Sequence, residues 1–125
     1  MGRATYEQIL DFGDWPYPGK PCWVMTSKDM QSDYDEVAVS CQTPDEVLHT
    51  IQQQGYTSTW LVGGGKLAAA FHNRELIDEY FISMLPYILG DGVPLLAGTA
   101  QRGSLHLIEA IAHDSGAVQL HYRRG

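Results

Sequence analysis

Residues 60–71 read WLVGGGKLAAAF: an apolar run, three glycines, then a run of good helix formers. The pattern predicts a strand at Ser58 to Val62 and a helix from about Lys66 to Asn73. Glycine weakens both kinds of element, so three of them at a strand-to-helix junction need a geometric reason. A P-loop is one candidate, but it requires G-x-x-x-x-G-K-[ST]. Here Leu67 follows Lys66, and Trp60 stands where the first glycine belongs. Gly63-x-Gly65-x-x-Ala68 does fit the dinucleotide turn of a Rossmann unit. That fold also wants an acid after the next strand, whereas Asp78 and Glu79 come at its start. A Rossmann-type NAD-binding protein therefore stands as an alternative, and a tight turn with no ligand is the plainest reading.

Working outward, Thr5-x-x-Gln8 has the form of a capping box and predicts a helix from about Ala4 to Phe12. Asp14 to Pro21 is a proline-punctuated loop. Cys22 to Thr26 is a nearly all-apolar strand, which implies burial on both faces, and Glu36 to Ser40 alternates as a second strand. Thr43-Pro44-Asp45-Glu46 is a helix start, with an N-cap hydroxyl, proline at N1 and acids at the positive end of the dipole. Val47, Leu48 and Ile51 form its apolar stripe, and Gly55 ends it. Strands follow at Glu79 to Leu85, Ser104 to Ala112 and Ala117 to Arg123, the last two joined by His113 to Gly116. The order predicts a mixed α/β sheet, parallel at its centre and ending in an antiparallel hairpin, with flanking helices.

The 125 residues suffice for one domain, 1–125, with a core of its own. Hydrophobic content of 44% and charged content of 18% are those of an ordinary globular chain. The formal charge of −7 disfavours nucleic acid as a partner. No apolar stretch approaches the length of a membrane span, and the N-terminus lacks the apolar core of a signal peptide, so a cytoplasmic protein is expected. Cys22 and Cys41 form no metal or redox motif, and no metal site is expected. His49, His72, His106, His113 and His121 are scattered, and Asp91 sits in a Gly-Asp-Gly turn; no catalytic residue is assigned.

Four stretches occur in a telling order: MGRATYEQI, VMTSKDM, LVGGGKLAAAF and IDEYFISMLPYILGDGVPLL. Together they resemble the dihydrofolate reductase superfamily, and within it the C-terminal reductase domain of bacterial riboflavin biosynthesis. The resemblance covers essentially the whole chain. It implies an NADPH-dependent reductase acting on a small molecule, either a ribosylated aminopyrimidine such as 5-amino-6-(5-phosphoribosylamino)uracil or a pterin-like compound. It also implies site residues. Gly2, Arg3 and Thr5 would open a helix whose amides hold phosphate. Ser27 and Lys28 would meet the 2′-phosphate that distinguishes NADPH from NADH. Gly63, Gly64 and Gly65, often around an unusual Gly–Gly peptide, would let backbone approach the pyrophosphate and nicotinamide, with Lys66 and Leu67 beginning the next helix.

In that family a strand, a helix and a second strand precede Met-Gly-Arg, whereas here Met1 is already that methionine. The resemblance thus implies that the strand at 58–62 lacks both neighbours. The expectations that follow are a homodimer that covers the gap, or an inactive NADP-binding or assembly module.

Overall fold

The computed structural model describes residues 1–125. Eight elements follow in chain order: α1 (Arg3–Asp11), β1 (Cys22–Met25), β2 (Val37–Ser40), α2 (Pro44–Gln53), α3 (Gly65–His72), β3 (Glu79–Met84), β4 (Leu105–Ala112) and β5 (Val118–Arg124). No helix is long and apolar enough to cross a membrane.

The parallel half is built on β1. It pairs with β2 along its whole length, from Cys22 against Val37 to Met25 against Ser40. Its other edge is held by the chain terminus: the Met1 amine donates to the Trp23 carbonyl at 2.9 Å, and the Met25 amide donates to the Met1 carbonyl at 2.9 Å. Gly2 bridges Met25 in parallel sense, so the chain leaves both residues at the same end of the sheet. Only Val24 of β1 is fully buried, so the two-face burial expected of this strand is met at one residue. Val24 joins Met1, Tyr6, Trp15 and Val37 in one core cluster, and Val47, Ile51 and Phe71 form a second.

β3, β5 and β4 form the antiparallel half in that spatial order. A bulge between Leu107 and Glu109 shifts the register of β4. The β4–β5 turn closes with reciprocal bonds between His113 and the pair Gly116 and Ala117.

The strand expected at Ser58 to Val62 does not form. A strand exists only where a neighbour completes its hydrogen bonds, and residues 57–62 make no backbone–backbone hydrogen bond. The single mixed sheet expected from the sequence is consequently two sheets, one parallel and one antiparallel. A cavity of about 780 Å³ lies along the unpaired segment, with Met1, Trp23, Ile51, Trp60, Phe71 and Phe81 in its walls.

A second correction concerns α1. The helix begins at Arg3 with Gly2 as its N-cap and no side-chain cap, so Thr5 and Gln8 form no capping box. Gly2 is fixed by its backbone bonds to neighbouring extended chain, which starts the helix before Thr5 can cap it.

A candidate dinucleotide site at two joined helix N-termini

The three helices differ at their N-termini, and the difference locates the site. Four amides at the start of any helix lack an intrahelical acceptor. In α2 the sequence supplies one: Thr43 Oγ1 accepts from the Glu46 amide at 3.3 Å, and Glu46 Oε2 accepts from the Thr43 amide at 2.8 Å. Asp45 and Glu46 add negative charge in its first turn. The first turns of α1 and α3 contain no acid and no side-chain cap. The first amides bonded into their helical ladders are Tyr6, to the Gly2 carbonyl, and Ala68, to the Gly64 carbonyl. The amides of Ala4 and Thr5, and of Gly65, Lys66 and Leu67, therefore have no acceptor within the chain, while the Arg3 amide is held by the Met25 carbonyl in the parallel bridge of Gly2 to Met25.

These two uncapped ends lie against each other. The Gly2 amide donates to the Gly63 carbonyl at 2.8 Å, and a Cβ on Gly64 would stand 3.1 Å from Thr5 Oγ1. Gly63 has φ +122°, a backbone setting closed to ordinary side chains, and a Cβ there would meet nothing within 4 Å. The Gly63–Gly64 peptide is cis. Bare backbone thus faces open space where two partial positive dipole ends converge, an arrangement suited to a diphosphate.

The sequence-predicted residues fall around this point as follows. Gly2, Thr5, Gly63 and Gly64 are brought into contact. Gly65 is in contact too, but it is packed: its missing Cβ would lie 2.6 Å from the Pro94 carbonyl oxygen, and its own carbonyl accepts from the Ala97 amide at 3.1 Å. Leu67 turns inward against the Val47 cluster. Lys66 is exposed in the first turn of α3 and has no carboxylate partner. Ser27 and Lys28 are exposed just beyond β1, at the end of the sheet where α1 begins. The Lys28 amide donates to Thr26 Oγ1 at 3.1 Å, which shapes the turn and leaves the ammonium unpaired. Arg3 differs: its Nε donates to Glu7 Oε1 at 2.6 Å, so its guanidinium is engaged along its own helix.

Residues 17–118 match the profile of the RibD C-terminal domain. The chain belongs to this family. The uncharacterized protein YwjB of Bacillus subtilis (strain 168) is 30% identical over 125 residues, covering 99% of this chain and 71% of YwjB. A crystal structure from Shewanella sp. PV-4, of a protein assigned provisionally to riboflavin biosynthesis, superimposes with a TM-score of 0.90 at 28% identity, over 100% of this chain and 72% of that one. RibD of Acinetobacter baumannii shares the fold, with a TM-score of 0.69 at 18% identity, but the match spans 36% of RibD and 82% of this chain. The RibD-like members of this family have the dihydrofolate reductase-like fold, and the combination of parallel and antiparallel sheets with flanking helices agrees with it. The Rossmann alternative loses its structural basis, because β3, the strand after α3, pairs only with antiparallel β5.

Sequence reasoning missed one part of the site: the segment 94–97 that packs on Gly65. That contact is what makes Gly65 packed where Gly63 faces open space, and no local sequence signal carries it. The histidines serve elsewhere; His72 binds Tyr80 Oη at 2.8 Å, and His121 binds Glu79 Oε2 at 3.1 Å. Asp91 accepts from the Gly92 amide at 2.7 Å, as a turn residue does.

Proposed function

We propose that the chain binds NADPH at the joined N-termini of α1 and α3 and is a reductase of a ribosylated aminopyrimidine or a related pyrimidine or pterin. The observation that carries this reading is the set of five acceptor-free amides at Ala4, Thr5 and Gly65 to Leu67, held together by the Gly2–Gly63 bond. The amides bind the pyrophosphate, and Gly63 and Gly64, lacking side chains, let it approach the backbone. Lys28, with Ser27 beside it, recognises the 2′-phosphate, and Lys66 adds positive charge at the start of α3. When bound, NADPH supplies the hydride; the protein's part is to hold and orient. No side chain is assigned a proton-transfer role.

A second reading is a nucleotide-binding or assembly module without turnover. It is favoured by the open cavity beside the turn, where residues 57–62 have no backbone partner. The test of both is NADPH oxidation by the purified chain with aminopyrimidine and pterin substrates, run beside a binding titration. Turnover supports the reductase. Binding without turnover supports the module, and absence of binding removes both.

A further inference from the structure

The segment 94–101 lies along α3 and is fastened at both ends of that helix. At the N-terminal end it meets Gly65 through the Ala97 amide and the Pro94 carbonyl described above. At the C-terminal end the fastening is made by side chains. Asn73 Nδ2 donates to the Thr99 carbonyl at 2.8 Å, and Asn73 Oδ1 accepts from the Gln101 amide at 2.7 Å. His72 Nε2 lies 2.7 Å from the Gln101 carbonyl, and its ring packs on Gly103, whose Cβ would stand 3.1 Å from Cε1. The two fastenings are about 12 Å apart, the length of an eight-residue helix.

Little else holds this strap. Pro94, Leu95 and residues 98–103 are exposed, and only Leu96 and Ala97 are half-buried. Asn73 satisfies both an acceptor and a donor of the strap with one planar amide, so the attachment depends on it more than on any apolar contact. What the strap touches at its other end is the last of the three glycines. A detached strap would remove the Ala97 bond from the Gly65 carbonyl, which α3 itself also uses, and the wall that Pro94 and Ala97 build against the first turn of α3.

We infer that Asn73 is a positioning residue: by fastening the strap it fixes the first turn of α3, and with it the amides that bind the nucleotide. The functional half rests on the NADPH reading above; the structural half does not.

The test compares the full chain with Asn73→Ala, Asn73→Asp and Thr43→Ala. Thr43→Ala removes the α2 cap and serves as a control for general destabilisation. Hydrogen exchange is read at the Ala97, Gln101 and Ala68 amides, each hydrogen-bonded in the intact protein. Losing the strap bonds should speed exchange there about tenfold in Asn73→Ala, while α2 and β5 are unchanged and Thr43→Ala leaves all three sites protected. The NADPH dissociation constant should rise by a similar factor in Asn73→Ala alone. Asn73→Asp keeps the acceptor for Gln101 but loses the donor to Thr99, so it should fall between the two; it also replaces Asn73→Ala if that variant does not fold.

Unchanged exchange at Ala68 would overturn the coupling of strap to helix. Faster exchange with unchanged NADPH affinity would overturn the positioning role. If the unmodified chain binds no NADPH, the functional reading falls, and exchange alone decides whether Asn73 fixes the first turn of α3.

Discussion

The Gly2 amide reaches the Gly63 carbonyl at 2.8 Å, and through this bond two residues 61 positions apart join the starts of α1 and α3. The consequence for Gly64 and Gly65 differs. A Cβ on Gly64 would meet the Thr5 hydroxyl at 3.1 Å, a group that can rotate away. A Cβ on Gly65 would meet the Pro94 backbone oxygen at 2.6 Å. Gly65→Ala should therefore cost about 1–3 kcal/mol in urea unfolding, Gly64→Ala less, and Thr5→Ala should relieve Gly64→Ala but not Gly65→Ala. The reverse order would show that the strap yields more easily than the hydroxyl.

Thr43 caps α2 without help from other elements, so Thr43→Ala should cost about 1 kcal/mol. The Thr43 amide, and after it the Thr43 hydroxyl, hold the Glu46 carboxyl below its ordinary range. A depressed folded-state value means that this contribution is present above the unfolded value and is lost as pH falls through the folded one. The stability gap between the unmodified chain and Glu46→Gln should thus be open at neutral pH and close on acidification. A gap that widens in acid would contradict the assignment.

Glu75 has φ +56° and follows α3 in a Schellman closure, with the Leu76 amide on the Phe71 carbonyl and the Glu75 amide on the His72 carbonyl. A side chain in the left-handed region is strained, so Glu75→Gly should stabilise by about 1 kcal/mol. Its carbonyl accepts from Arg124, a bond that the substitution leaves in place. A lowered midpoint in thermal or urea unfolding would refute this.

Residues 57–62 make no backbone–backbone hydrogen bond, and Trp60 and Phe81 are exposed beside the cavity. Extended chain in this state recruits partners. We expect a homodimer that covers this gap, seen by sedimentation as association that weakens on dilution. A cooperatively folded monomer at every concentration would exclude it.

Elements whose signals are local were legible in the sequence. Thr43-Pro44-Asp45-Glu46 started α2 where expected, and β3, Glu79–Met84, falls within the strand expected at Glu79 to Leu85. Ser58 to Val62 misled because its strand character depends on neighbours that a propensity pattern cannot show. Thr5 misled because a backbone pairing at Gly2 decides where α1 begins. Of the candidate site, the glycines and Gly2 could be read from order and type. The strap could not, since Asn73 and Gln101 are 28 residues apart and neither belongs to a motif.

The most direct test of the nucleotide reading is a titration of NADPH and NADH against the chain, followed by quenching of Trp15, Trp23 and Trp60, with Lys28→Ala alongside. The account predicts saturable binding with NADPH preferred, and a preference reduced about tenfold or more by Lys28→Ala, as loss of a charge-assisted contact requires. Equal affinity for the two nucleotides, unchanged in Lys28→Ala, would contradict the assignment of the 2′-phosphate, and no binding of either would contradict the site itself.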